Sequence, residues 1–177
     1  MPVDASTALE EWVRPVEDWP VPGVTFRDLT PLFARPEPFA AVIDALVDIA
    51  RSAGPVDRVL GVEARGFIVG APVALELGVG FVPVRKAGKL PHTTLSTSYA
   101  LEYGEATIEM HADAVAPGDR VLVVDDVLAT GGTLAATADL VREAGGEVVA
   151  DLVIIELPAL GGRAVVGDVP VHSLTTY

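Results

Sequence analysis

Hydrophobic and polar positions follow two different spacings along most of this chain. Residues 36–53 place apolar side chains every three or four positions, which predicts a helix that Gly54 and Pro55 end. The same spacing, followed by glycine, predicts helices at 67–77 and 133–144. Short apolar segments at 59–62, 81–84 and 148–155 predict further strands, and the uninterrupted aliphatic run at 121–124 is typical of a strand covered on both faces. Because strands and helices alternate, the pattern predicts an α/β fold with a mostly parallel sheet flanked by helices.

Weaker patterns predict three further segments. Residues 107–110 alternate in polarity, which predicts a hairpin or an edge strand. The capping-box spacing at 7–10 predicts a short amino-terminal helix that Pro15 closes. Six prolines within 15–38 predict a long loop. Its central part, 22–32, contains several apolar residues, so we expect this loop to be ordered.

Length and composition indicate one globular domain. A chain of 177 residues, half of them hydrophobic and 21% charged, has enough apolar surface to fold without metals or disulfides. The chain contains no cysteine, which excludes disulfide scaffolds, thiol nucleophiles and cysteine-based metal sites. Its net charge of −13 argues against binding to nucleic acid or to an anionic membrane surface, because the protein's own field would oppose the encounter.

The amino-terminal residues are acidic where a secretory signal would be basic and then apolar. The most apolar stretch, 66–84, contains four glycines and two prolines and changes its spacing partway. We therefore interpret it as a buried helix followed by a buried strand rather than as a membrane span. These features predict a cytoplasmic protein.

The segment that follows the strand at 121–124 carries the most informative chemistry. Two carboxylates, Asp125 and Asp126, precede a turn of small residues that opens the helix at 133. Backbone N–H groups at such a turn can converge on a phosphate at the positive end of the helix. Carboxylates beside a phosphate site suit a ligand that also presents hydroxyl groups or Mg²⁺, such as a phosphorylated sugar. The alternative is that Asp126 only caps the turn and the glycines only bend it. The residues of the turn are Ala129, Thr130, Gly131, Gly132 and Thr133.

Positive charge is concentrated in one other loop. The only two lysines of the chain, Lys86 and Lys89, lie beside Arg85. Such a cluster in an acidic chain indicates an anion site, although it could also serve solubility. Arg65, in the turn after the strand at 59–62, can bind a second phosphate in a bidentate manner; its alternative partner is Glu63. The three histidines show no metal-ligand spacing.

Together these segments resemble the type I phosphoribosyltransferases and, within them, the branch that uses adenine. The run VLVVDDVLATGGT, 121–133, resembles the family's binding motif for 5-phosphoribosyl-1-pyrophosphate (PRPP). The similarity extends from about residue 19 to 163. Motifs that resemble the adenine branch are PGVTFRDLTPL (22–32), EARGF (63–67), RKAGKLP (85–91), SYALEYG (98–104) and IELPAL (155–160).

The resemblance implies the transfer of the phosphoribosyl group from PRPP to adenine, which yields AMP and pyrophosphate in purine salvage. It implies a single domain, 1–177, in which about 1–35 and 155–177 form a hood on the base side. It also implies a homodimer and Mg²⁺, held through PRPP and water near Asp125 and Asp126 rather than directly by the protein. The mobile active-site loop of the family matches 98–104.

The resemblance also implies roles for individual residues. Asp125 and Asp126 match the acids that bind the ribose hydroxyls, and Glu102, in the mobile loop, matches a candidate acid–base group. The turn 129–133 matches the 5-phosphate site. The pyrophosphate site matches Arg65, Arg85, Lys86 and Lys89, and the adenine pocket matches Val24, Phe26, Arg27 and Leu157.

Alternatives remain at this point. Phe26 and Leu157 could be ordinary core residues, and Glu102 could be a loop acid that faces solvent. Another purine base or orotate could be the acceptor, although the segment 22–32 and Leu157 favour adenine. A regulator that senses PRPP without catalysis should carry a basic face or an added DNA-binding domain, and this acidic chain has no residues to spare for one.

Overall fold

The computed structural model describes residues 3–100 and 104–177 and divides into two units, one up to Leu46 and one from Val47. The first unit contains two short strands and the amino-terminal helices, and its last helix continues into the second unit. The elements are α1 (Ala5–Trp12), β1 (Arg14–Val16), β2 (Phe26–Asp28), α2 (Thr30–Phe33) and α3 (Pro36–Ser52).

The first helix begins earlier than the capping-box pattern predicts. Asp4 is the N-cap of α1, and its carboxylate accepts a hydrogen bond of 2.9 Å from the Thr7 N–H. A short polar side chain at this position satisfies one of the free N–H groups of the first turn. The predicted cap at Thr7 is therefore wrong, because an aspartate three residues earlier already occupies that role.

The proline-rich segment is ordered, as expected, but it is more regular than a loop. Strands β1 and β2 pair antiparallel, and Arg14 forms an ion pair with Asp28 across them. Between the strands, Trp19 packs edge-on against Phe26 with the ring centroids 4.4 Å apart. The segment predicted as a loop therefore contains most of β1, all of β2 and the one-turn helix α2.

A seven-stranded sheet forms the centre of the second unit, in the order β5-β6-β4-β3-β7-β8-β9. The five strands from β4 to β9 in this order are parallel, and the β5–β6 hairpin adds antiparallel to β4. This arrangement confirms the predicted mostly parallel α/β sheet. The bounds are β3 (Arg58–Val62), α4 (Arg65–Leu77), β4 (Gly80–Lys86), β5 (Thr94–Ala100), β6 (Glu105–His111), β7 (Arg120–Leu128), α5 (Gly132–Glu143), β8 (Glu147–Glu156), a 3₁₀ turn (Pro158–Leu160), α6 (Gly162–Val166) and β9 (Val171–Thr176).

Helices α4 and α5 cover opposite faces of this sheet. Gly70 of α4 lies against Gly61 and Val124, whereas Leu134 and Leu140 of α5 belong to the buried cluster that contains Val123. Neighbouring residues of a strand point to opposite faces, so Val123 and Val124 assign the two helices to the two sides. Both faces are thereby apolar, which accounts for the uninterrupted aliphatic run at 121–124 in the central strand β7.

One predicted strand needs correction, and two strands of the sheet were not predicted. Strand β7 continues to Leu128, so Asp125 and Asp126 lie within the strand and not in the turn after it. Register with β8 extends to Leu128, and this pairing prolongs β7 beyond the aliphatic run. Strands β5 and β9 were not predicted, because their sequences, 94–100 and 171–176, mix exposed polar residues with half-buried ones. Among the described helices, none has both the length and the apolar character needed to cross a membrane.

Candidate functional site

The carboxyl ends of four parallel strands place most of the predicted site residues at one edge of the sheet. Strands β3, β4, β7 and β8 run in the same direction and are hydrogen-bonded in the order β4-β3-β7-β8. In open α/β sheets this edge is where ligands bind. The segments that emerge there are 63–65 after β3, 85–89 at the end of β4, 125–133 at the end of β7 and Leu157 after β8.

A small cavity lies at the amino-terminal end of α5. Its volume is about 60 Å³, and it is lined by Asp125, residues 127–131, Thr133 and Leu134. Gly131 is the N-cap of α5 in a left-handed conformation, with φ of +83°, and no side chain of the described residues caps the helix. The first N–H groups of α5 therefore remain available to an anion that accepts hydrogen bonds at the positive end of the helix dipole.

The two adjacent acids at the end of β7 have different surroundings. The Asp125 carboxylate accepts a 2.8 Å hydrogen bond from the Asp126 N–H, and burial together with the Asp126 charge raises the pKa of Asp125 well above its ordinary value. Asp126 is 5% exposed, and burial raises its pKa although Arg65 opposes this. Arg65 Nε lies 2.6 Å from Asp126 Oδ2, so the turn after β3 contacts the end of β7. Sequence reasoning considered Glu63, not Asp126, as the ion-pair partner of Arg65.

Glu63 instead holds the cluster of cations at the end of β4. Its carboxylate lies 3.2 Å from Arg85 Nε and 2.9 Å from Lys89 Nζ, and it accepts a hydrogen bond from the Lys86 N–H at 3.1 Å. The hydrogen bond from Lys89 is the main reason that the pKa of Glu63 lies below its ordinary value. The charges of Arg85 and Lys89 are thus partly compensated within the protein, while Lys86 extends an exposed side chain.

A second carboxylate fixes the backbone of the same turn. Glu109 of β6 is 6% exposed and accepts hydrogen bonds from the N–H groups of Lys89, at 2.9 Å, and Leu90, at 2.8 Å. Burial disfavours the charged form of Glu109, but the hydrogen bonds from Leu90, Gly88 and Lys89 outweigh it, so its pKa is lowered. Glu109 therefore holds the backbone of the turn, whereas Glu63 contacts the Lys89 side chain.

The β5–β6 hairpin contacts the turn at the start of α5. The Tyr99 hydroxyl lies 2.9 Å from the Thr133 hydroxyl. A side chain at position 132 would lie 2.9 Å from the Tyr99 ring, so the ring packs directly on the backbone of Gly132. The segment 98–100, which the resemblance places in a mobile loop, is the end of strand β5. Glu102 lies outside the described residues.

The predicted adenine-pocket residues are divided between the two units. In the first unit, Phe26 and Arg27 belong to β2, and Val24 precedes it with 42% of its surface exposed. In the second unit, Leu157 is half-buried directly after β8, and its N–H donates a 2.9 Å hydrogen bond to the Leu128 carbonyl.

Sequence reasoning missed the parts played by Glu63, Glu109 and Tyr99. The signal for Glu63 was its place directly after a buried strand, where the carboxyl ends of neighbouring strands meet. Glu109 had no such signal, because only the pairing of β6 with β4 brings it beside the lysine turn. Tyr99 likewise depends on the fold of the hairpin.

Comparisons with known proteins agree with this geometry. A family model described as the phosphoribosyl transferase domain matches residues 29–167. An adenine phosphoribosyltransferase of Acidothermus cellulolyticus is 60% identical over 163 residues, which is 92% of each chain. The crystal structure of the adenine phosphoribosyltransferase from Rhodothermus marinus matches with a TM-score of 0.90 and 50% identity, covering 97% of this chain and 99% of that one. The Saccharomyces cerevisiae enzyme, solved with an imino-altritol bisphosphate and adenine, matches with a TM-score of 0.90 and 38% identity over 96% of this chain and 99% of that chain.

Proposed function

Because this chain belongs to the adenine phosphoribosyltransferases, which form AMP and pyrophosphate from adenine and PRPP, we propose that this reaction takes place at the carboxyl edge of its seven-stranded sheet. The observation that carries the proposal is the cavity of about 60 Å³ at the uncapped start of α5, directly beside an acid pair. A phosphate next to sugar hydroxyls is the ligand chemistry that such a site suits.

The segment 129–133, which we name the phosphate loop, holds the 5-phosphate of PRPP. Its support is the set of free N–H groups at the positive end of α5, with the hydroxyls of Thr130 and Thr133 as further donors. Asp125 and Asp126 accept hydrogen bonds from the ribose hydroxyls. The Arg65–Asp126 contact supports this assignment, because it places a cation that can reach pyrophosphate beside the group that binds the sugar.

Arg65, Arg85, Lys86 and Lys89 bind the pyrophosphate. When the anomeric C–O bond breaks, the leaving pyrophosphate gains negative charge and the ribosyl group becomes cation-like, so fixed cations stabilise the transition state more than the ground state. Glu63 keeps Arg85 and Lys89 in place before the substrate binds. The pyrophosphate then competes with this carboxylate for the two cations.

The adenine pocket is assigned to Val24, Phe26, Arg27 and Leu157, with about 1–35 and 155–177 as the base-side hood. Apolar side chains of this set stack on the purine, and backbone groups near Arg27 bind its edge. Glu102 is the proposed acid–base group for the purine ring nitrogen.

The donor set at the end of β7 fits Mg²⁺ that is held through the substrate. No group of three or more acidic, histidine or cysteine side chains among the described residues could hold a metal alone. Mg²⁺ keeps several of its waters and binds the substrate's phosphates, so Asp125 and Asp126 would contact the ion through those waters rather than directly. When bound, the ion neutralises charge that develops on the pyrophosphate. The homodimer, which the family resemblance implies, remains a prediction, and so does the cytoplasmic location, which the acidic amino-terminal residues indicate.

A panel of acceptor bases tests the proposed function. We expect pyrophosphate release from PRPP with adenine and far slower release with hypoxanthine, guanine or no base. Equal rates with hypoxanthine or guanine would instead favour another purine phosphoribosyltransferase.

A double variant tests the placement of the site. Asp125→Asn with Asp126→Asn should nearly abolish turnover, because each side chain loses its negative charge and one of the two oxygens that accept from the ribose hydroxyls. The melting temperature should be unchanged or higher, because burial already disfavours both charges. The matched control, Asp44→Asn with Asp113→Asn, removes two exposed carboxylates outside the assigned site and should keep full activity. A folded double variant with normal turnover would show that the ribose site lies elsewhere.

A further inference from the structure

Two loops at the carboxyl edge of the sheet touch backbone against backbone. One is the phosphate loop, and the other is 157–162, which we name the base-side loop because it begins with Leu157. A Cβ atom on Gly162 would overlap the Ala129 carbonyl oxygen, lie 2.7 Å from Leu128 Cδ1 and lie 3.1 Å from the Gly131 nitrogen. A Cβ atom on Gly131 would in turn overlap the Gly162 carbonyl oxygen and lie 3.0 Å from the carbonyl carbon.

Both ends of the base-side loop are anchored. At its start, the Leu157 N–H donates a hydrogen bond of 2.9 Å to the Leu128 carbonyl, directly before the phosphate loop. After its end, Arg163 donates two hydrogen bonds to the Glu156 carboxylate, at 2.7 and 2.6 Å, and one to the Val171 carbonyl. The loop therefore has little freedom to move away from the phosphate loop.

We propose that Gly162 is a positioning residue that sets the place of the phosphate loop relative to the base-side loop. The proposal rests on the proposed function for 129–133. A side chain at position 162 meets a backbone carbonyl and a backbone nitrogen, which cannot move aside as the tip of a flexible side chain can. One of the two loops has to shift, and because α5 begins at Gly132, a shift of Ala129 and Gly131 redirects the N–H groups that face the phosphate.

The coupling has a consequence for both substrates. The phosphate loop is assigned to PRPP and Leu157 to adenine, and the two segments are held together by the contact at Gly162 and the hydrogen bond to Leu128. Displacing either loop should therefore weaken the binding of both PRPP and adenine. AMP, which carries a phosphate and an adenine in one molecule, reports on the two loops together.

The experiment compares Gly162→Ala with Gly80→Ala. At position 80 the new methyl group meets the Arg58 side chain, and this glycine lies at the amino end of β4, away from the carboxyl edge. For Gly162→Ala we expect KM for PRPP to rise roughly 10–100-fold and calorimetric AMP affinity to fall by a similar factor, since ångström-scale misplacement has effects of this size. Gly80→Ala should keep both values. A purely structural role would lower the melting temperature and the active fraction with KM and AMP affinity unchanged, and that result would overturn the proposal.

A milder variant keeps the test decisive if Gly162→Ala does not fold. Arg163→Gln removes the two hydrogen bonds that Arg163 donates to Glu156, and it adds no atoms that could clash. The side chain of Arg163 is half exposed. We expect a smaller rise in KM for PRPP, roughly threefold to tenfold, and an unchanged KM would count against the coupling.

A third variant separates failure of this inference from failure of the proposed function. Thr130→Val removes a hydroxyl of the phosphate loop and should raise KM for PRPP by itself. If Thr130→Val raises this KM and Gly162→Ala does not, Gly162 has no positioning role. If neither variant changes it, the phosphate loop is misassigned, and the inference falls with it.

Discussion

Asp151 lies in the middle of β8 with no exposed surface, and neither carboxylate oxygen has a hydrogen-bond partner within residues 3–100 and 104–177. Its neighbours in register are Val123 of β7 and Val171 of β9, both apolar. An ionised carboxylate in such surroundings is strongly disfavoured, and burial raises the pKa of Asp151 to about 7. The proposed reaction does not use this group, so its effect is on the free energy of unfolding.

The raised pKa predicts that Asp151 destabilises the protein at high pH. Between the ordinary value, 3.8, and about 7, the folded state binds a proton that the unfolded state has lost, so the contribution of Asp151 to stability falls as the pH rises through this range. Full ionisation costs about 4 kcal/mol. Asp151→Asn should raise the melting temperature by roughly 10 °C at pH 8, with little difference near pH 4.5. Thermal unfolding of the unchanged protein and of Asp151→Asn between pH 4.5 and pH 8 measures this difference in melting temperature. Asp113→Asn, at an exposed position, is the control. A difference that does not depend on pH would contradict the raised pKa of Asp151.

Glu63 offers a second prediction at the scale of one residue. The Glu63→Gln amide oxygen can still accept a hydrogen bond from the Lys86 N–H, but it no longer neutralises Arg85 and Lys89. We therefore expect pyrophosphate to bind roughly threefold to tenfold more tightly, about 0.7–1.4 kcal/mol, as an exposed to half-buried ion pair allows. Product inhibition by pyrophosphate measures this affinity. Because the pKa of Glu63 is already lowered, the effect should be constant from pH 6 to 8. Weaker inhibition would mean that Glu63 orients the cations more than it competes for them.

Among the elements, the β5–β6 hairpin makes a contact with the site that the spacing of apolar residues did not reveal. All seven residues of β5 pair with β6, and Tyr99 near its end reaches the phosphate loop through Thr133. The hairpin thus joins the edge of the sheet to the start of α5 through one side-chain hydrogen bond and one ring that packs on backbone.

Tyr99→Phe should loosen this connection while keeping the ring. The loss of one part-buried hydrogen bond costs about 1 kcal/mol, so amides of 94–100 should exchange with solvent roughly fivefold faster. Hydrogen exchange followed by mass spectrometry measures the change. Ser96→Ala, on the exposed side of the same strand, is the matched control and should leave exchange unaltered. Unchanged exchange in Tyr99→Phe would indicate that backbone pairing alone holds the hairpin.

At the scale of the whole molecule, salt should have opposite effects on folding and on substrate binding, because the chain has a net charge of −13 and a local cluster of cations. Self-repulsion of a highly charged chain destabilises the folded state, and salt screens it. Salt also screens the attraction between the cluster of Arg85, Lys86 and Lys89 and a polyanionic substrate.

An increase from about 20 mM to 500 mM salt, which shortens the screening length several-fold, should therefore raise the melting temperature by a few degrees and also raise KM for PRPP. Parallel measurements in NaCl and KCl separate screening from the binding of a particular ion. A KM for PRPP that is insensitive to salt would argue that the cation cluster makes no contact with the substrate.

The local pattern of apolar and small residues was sufficient to predict most strands and helices and the segment proposed to bind phosphate. The four buried strands and the three long helices were predicted because the spacing of apolar residues records which side of each segment is covered, and that is a local property. The phosphate loop was predicted for a similar reason, since small residues between a buried strand and a helix can expose backbone N–H groups wherever the segment lies.

What tertiary structure decided is which of these segments touch. Asp125 and Asp126 belong to β7 because β8 continues beside it, and Arg65 meets Asp126 because β3 is the neighbour of β7. Glu63 meets Lys89, and Gly162 meets Ala129, for the same kind of reason: contacts at the edge of a sheet depend on strand order and register. Strand order and register arise from the packing of distant segments, and no spacing within a single segment encodes them.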